Sequence, residues 1–116
     1  MARVAALIPD LMFGSRVQGM LQQAGHDVEL VTAGLDGWDG AAAVDVLVVD
    51  LVSADAAGIA LLQRVRPGAE PPALAVYSHV DPDTRRRAID AGFDLVVPRS
   101  RMVREGAHLV AQLAGA

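Results

Sequence analysis

Three residues able to do chemistry stand at the ends of three apolar runs. Val46-Leu47-Val48-Val49 stops at Asp50, Leu74-Ala75-Val76-Tyr77 at Ser78, and Leu95-Val96-Val97-Pro98 at Arg99. If the runs are adjacent parallel strands, a carboxylate, a hydroxyl and a guanidinium meet at one edge of one sheet. That edge is where open α/β sheets place their working sites. A further acid, Asp10, follows the first apolar run, Val4-Ala5-Ala6-Leu7-Ile8. A carboxylate beside a second acid and a cation can help hold a divalent metal through oxygen ligands. It can also attack a phosphoryl group and become an aspartyl phosphate. The hydroxyl and the cation would then hold the phosphoryl oxygens.

The elements that must position these groups alternate between strand and helix. Val4 to Ile8 reads as a buried strand. Leu11 to Ala24 reads as a helix with Phe13, Val17, Met20, Leu21 and Ala24 inward, and Gly25 at its left-handed stop. Asp27 to Val31 alternates polar and apolar, as an edge strand does. Thr32 to Gly40 is the least regular stretch and leads into a short, poor helix around Trp38 to Ala43. Val46 to Val49 shows no alternation, so it is central and covered on both faces. Ala56 to Val65 is a helix ended by Pro67-Gly68, and Leu74 to Tyr77 is a strand. Asp81 as N-cap, Pro82 at the first helical position and Asp83 in the first turn mark a helix that Gly92 closes near Ala91. Leu95 to Val97 is the fifth strand, and Met102 to Leu113 the last helix. The expected fold is α/β: a five-stranded, doubly wound parallel sheet with helices on both faces.

Length and composition suit one domain over residues 1–116. The apolar fraction of 53% fills a core, with aromatics at only 3%, so Val, Leu, Ala and Ile must do the filling. A net charge of −4 argues against nucleic-acid binding by bulk attraction. There is no cysteine, hence no disulfide or thiolate metal site. The first apolar run is too short for a membrane span or a signal segment, so a cytoplasmic location is the default. No pair of histidines has metal-ligand spacing. No phosphate-binding glycine loop follows the first strand, and no nucleophile elbow is present, so an enzyme or nucleotide binder is the weakest reading.

At these residues the chain resembles the receiver domains of two-component response regulators, of the flavodoxin-like type. Asp50 matches the phosphoacceptor. Gly58 matches a glycine that the family places eight positions further on, and Ser78 matches the Ser/Thr that contacts the phosphoryl group. Gly92-Phe93-Asp94-Leu95-Val96-Val97-Pro98-Arg99 resembles the Gly-Ala-Asp-Gly-Tyr-Leu-Val-Lys segment, with Arg99 at the lysine. The resemblance implies a magnesium held by Asp10, Asp50 and Val52. It also implies a histidine kinase or small phosphodonor as partner, and a downstream protein met through the fourth helix, the fifth strand and the last helix, or a homodimer. Arg85, Arg86, Arg87 and Val96 fall on that surface.

The departures point to an atypical or pseudo-receiver. Where the family carries two adjacent acids this chain reads Ile8-Pro9-Asp10-Leu11. One carboxylate fewer lowers magnesium affinity. Arg99 keeps the lysine's charge but is a planar fork able to grip Asp50 at two points. Val96 replaces the aromatic switch, His79 the small residue after the Ser/Thr, and Ala54 a proline. Plainer roles stand beside these. Asp10 can cap the first helix, Ser78 can serve a tight turn, and the arginine run can be a solvated face. Trp38 and Phe93 read as packing, His79 as an exposed loop residue, and His26 and His108 have no evident partners.

Overall fold

A computed structural model describes residues 2–66 and 68–115. Five parallel strands form one sheet in the order β2-β1-β3-β4-β5. They are β1 (Arg3–Leu7), β2 (Asp27–Val31), β3 (Val46–Asp50), β4 (Ala73–Tyr77) and β5 (Leu95–Pro98). The helices are α1 (Leu11–Gln23), α2 (Leu51–Ala54), α3 (Ala56–Val65), α4 (Pro82–Ala91) and α5 (Arg99–Leu113).

Side chains alternate across each strand, so the central strands feed two cores. Val4, Ala6, Val46, Val48, Leu74 and Val76 face α1 and α5, where they meet Phe13, Val17, Leu21, Met102 and Leu109. Ala5, Leu7, Leu47, Val49, Ala73 and Ala75 face the other side, against Leu61, Leu62, Ala88 and Phe93. Every residue of β3 is buried, as its unbroken apolar run requires. Each such Val or Leu contributes about 1.5–3 kcal/mol by leaving water.

Several elements differ from the sequence reading. The poor helix near Trp38 is two 3-10 turns, Leu35–Gly37 and Gly40–Ala43. Glycine at three positions of that stretch denies an α-helix the side chains it would need to pack. Trp38 still packs, half-buried, against the second core. The last helix begins at Arg99 rather than Met102, directly after Pro98. One turn of helix, α2, stands between β3 and α3 where none was expected. Gly25 and Gly92 both take the left-handed conformation that ends their helices. Asp81 caps α4 by accepting from the Thr84 N–H at 3.2 Å, with Pro82 in the first turn. Of the expected Pro67-Gly68 stop, Pro67 lies outside the described residues.

Candidate functional site

Register sets which residues meet at the carboxyl edge. Leu7 lies beside Val49, Asp50 beside Val76, and Tyr77 beside Pro98. One step further along these strands come Ile8, Ser78 and Arg99, so the three connections that follow share one rim.

Asp50 is completely buried, and its carboxylate accepts from every side. As the N-cap of α2 it takes the Val52 N–H at 3.4 Å and the Ser53 N–H at 3.3 Å. The Ser53 hydroxyl donates at 2.6 Å. Arg99 adds both arms of its fork, Nε to Oδ1 at 3.3 Å and Nη2 to Oδ2 at 2.5 Å. A guanidinium matches a carboxylate in this two-point way; an ammonium does not.

Arg99 does not stop at Asp50. Its Nη1 lies 3.2 Å from Asp10 Oδ2, and its guanidinium sits 4.1 Å from the centre of the Phe13 ring. Phe13 thus serves the core and presents a π face to the cation. Asp10 caps α1 by accepting the Phe13 N–H at 3.2 Å. That bond is the main reason its carboxyl titrates below the ordinary value. Desolvation opposes the shift, and Arg99 adds to it. For Arg99 itself burial works to lower the pKa, but the bonds and charges of Asp50 and Asp10 outweigh this and raise it.

Ser78 is not bonded to this cluster among the described residues, but it lies beside it. It lines a cleft of about 190 Å³ with Leu51, Val52, Asp55, Asp81 and Thr84. Its carbonyl accepts the Asp81 N–H at 2.8 Å, the turn role. No hydrogen bond among the described residues joins its hydroxyl to Asp50. Val52 is exposed, and its contribution to the cluster is the N–H donated to Asp50.

Gly58 has a packing reason. A Cβ there would lie 2.7 Å from Leu51 Cδ2 and 2.8 Å from Val49 Cγ1. A side chain would push α3 away from the strand and turn that carry Asp50. Arg85, Arg86 and Arg87 lie on the solvent side of α4, Arg86 paired with Asp83 and Arg87 with Thr84 and Asp55. Val96 is half-buried against the second core, and His79 is exposed.

Sequence reasoning missed Ser53, Phe13 as a partner of Arg99, and a role for His26. Ser53 stands three residues after a capping acid, a spacing that could have signalled the bond. His26 is buried, with Nδ1 accepting from the Ala2 N–H and Nε2 3.3 Å from the Ala107 carbonyl, so it clips α5 to β1.

No protein-family model matches the chain, and no curated protein matches it. Solved structures do. A response regulator receiver domain from Clostridium thermocellum superposes with a TM-score of 0.83 at 12% identity, over 99% of this chain and 95% of that one. The fold is that of a receiver domain. The BeF3-activated DrrB receiver domain gives 0.81 at 21% identity, covering 100% of this chain and 99% of that one. The signal receiver domain of the putative response regulator NarL from Mycobacterium tuberculosis gives 0.79 at 21% identity, covering 99% and 97%. The strand order and the flavodoxin-like sheet agree with the expected fold. Among the described residues no helix is long and apolar enough to cross a membrane.

The donor set does not fit a magnesium ion as it stands. Asp10 and Asp50 are the acids at the rim's centre, and both already share the Arg99 guanidinium. Among the described residues no three His, Asp or Glu side chains converge as a metal site. An ion demanding octahedral oxygen ligands would have to displace Arg99 from two carboxylates and rely on water for the rest.

Proposed function

We propose that this chain works as a receiver module of two-component signal transduction, with Asp50 as its candidate phosphoacceptor and phosphorylation there impaired. The observation that carries the reading is the bridge that Arg99 makes between Asp50 and Asp10. Two carboxylates and one guanidinium leave the cluster with a net negative charge. A phosphodonor is itself an anion, so its approach is unfavourable until a further cation arrives. The single cation at hand is already spent on two acids. The Asp50 oxygen that would attack phosphorus must first shed the Ser53 hydroxyl or an arm of Arg99.

Within this reading the phosphodonor is a histidine kinase or a small acyl phosphate. Arg99 and Ser78 are the groups this reading assigns to the phosphoryl group, and Ser78 supports it by lining a cleft with Leu51 and Val52, the residues that follow Asp50. The downstream protein meets α4, β5 and α5, and the protein works in the cytoplasm. A second reading draws on the same carboxylate. With five donors, Asp50 is satisfied by the protein alone, which suits a pseudo-receiver that binds its partner without phosphate.

Intact-mass analysis after incubation with acetyl phosphate and magnesium tests both. Slow, partial labelling of the native chain is expected, lost in Asp50→Asn and faster in Arg99→Lys. Prompt, complete labelling of the native chain would overturn impairment. No labelling of either the native chain or Arg99→Lys at saturating magnesium would remove Asp50 as an acceptor and leave the pseudo-receiver.

A further inference from the structure

Large apolar side chains that stay in water are few and unevenly placed. Leu11 is 63% exposed, Met12 86%, Val52 44%, Val80 74% and Ile89 45%. Leu11 and Met12 lie in the first turn of α1, Val52 in α2 and Val80 in the β4–α4 connection. These follow neighbouring strands of the sheet, so the four share the carboxyl rim. Ile89 lies elsewhere, on the outer face of α4, one turn beyond Arg85 and Arg86. Residues three and four apart on a helix are neighbours, so Ile89 and these two arginines form one surface.

Charge divides in the same way. Helix α4 holds three arginines (Arg85, Arg86, Arg87) and two acids (Asp83, Asp90), a positive excess of one in a chain whose net charge is −4. The apolar rim carries acids: Asp55, with a side chain 72% exposed and only a 3.8 Å contact to Arg87, and Asp10, whose pairing with Arg99 leaves its side chain 37% exposed. On α4, Arg85 takes part in no ion pair among the described residues, and Arg86 is paired only with Asp83 of its own helix.

One surface is therefore apolar with acids, the other apolar with arginines, and both belong to the same chain. We propose that the carboxyl rim of one copy docks on the outer face of α4 of a second copy, head to tail. Met12 and Val80 would cover Ile89, while Arg85 meets the acids of the rim. The contact uses different patches on the two copies, so a pair still has one free rim on one copy and one free helix on the other, and head-to-tail growth does not stop at two. A rim-to-rim contact would set acid against acid. An anionic lipid surface would be repelled by the same acids.

Sedimentation velocity over a concentration series tests this with two variants altered only at exposed positions. Met12→Asp with Val80→Asp spoils the rim; Arg85→Glu with Ile89→Asp spoils the helix. Far-UV circular dichroism checks that both fold. The native chain is expected to gain mass with concentration without levelling at a dimer. Each variant alone should remain a monomer, and an equimolar mixture should form a dimer and stop, since one intact rim meets one intact helix. A native chain that stays monomeric at near-millimolar concentration, that levels at a dimer, or variants that fail to pair would overturn the proposal.

Discussion

Two arginines bind two aspartates at opposite edges of the sheet, and the pairs are inverted. At the carboxyl rim the acid is the buried partner: Asp50 is fully covered, while the Arg99 side chain is 29% exposed. At the amino edge the base is the buried partner: the Arg66 side chain is 6% exposed and that of Asp94 39%. Arg66 spends its donors on the backbone, on the carbonyls of Pro71 and Gly92, besides Asp94 at 2.6 Å. Asp94 in turn accepts the Ala73 N–H at 2.8 Å, so this pair ties the starts of β4 and β5 to the end of α3. Arg99 instead touches side chains, those of Asp50, Asp10 and Phe13. Bonds to backbone fix a fold; bonds among side chains at a half-open rim can be exchanged for bonds to something else. The pair at the amino edge is a strut and the pair at the rim is a site.

The strut should show the largest effect when broken. Arg66→Ala removes three hydrogen bonds from one buried guanidinium, to two carbonyls and to the part-exposed Asp94, and a loss of about 3–5 kcal/mol is expected in urea denaturation. Arg99→Ala should cost less, about 1.5–3 kcal/mol, because Asp50 keeps the donors of Val52 and Ser53. Equal losses at the two positions would erase the distinction between strut and site. Gly58→Ala presses on Leu51 and Val49 beneath Asp50, and a loss of about 1–3 kcal/mol is expected. Its amide spectrum should change at Val52 and Ser53 and stay unchanged at Ala73.

The smallest effect concerns pH. The folded pKa of Asp10 lies below its unfolded value. The stability that Asp10 contributes is therefore present above the unfolded value of about 3.9 and is lost as pH falls through the folded one. In Asp10→Asn that part of the acid dependence should vanish. The curves of the variant and the native chain should diverge above about pH 4 and converge below it. A difference unchanged by acid would show that Asp10 acts through shape alone.

The strands were legible because a parallel sheet buried on both faces demands unbroken apolar runs, and chemistry-bearing residues end those runs. The start of α4 was legible because Asp81, Pro82 and Gly92 each suit one position of a helix. The pairing of Arg99 with Asp50 was foreseen from the planar fork. What escaped is short or distant. One turn of helix at Leu51–Ala54 is too brief to show a period, and its N-cap is Asp50 itself, whose carboxylate has a chemical reading as well as a capping one. Phe13 fits an inward stripe equally well with or without a cation on its ring. The partners of His26 are backbone groups 24 and 81 positions away, which no local pattern records. Arg66 gave no signal either, since its partners lie in two later connections.

Under the proposed function Arg99 takes the place a metal would need, since it already pairs with both Asp50 and Asp10. Amide NMR of the native chain and of Arg99→Ala, titrated with magnesium and then beryllofluoride, tests it most directly. Small changes at Val52, Ser53 and Ser78 are expected in the native chain at magnesium levels that shift these amides clearly in Arg99→Ala. Large, saturating shifts in the native chain, equal to those of the variant, would contradict it.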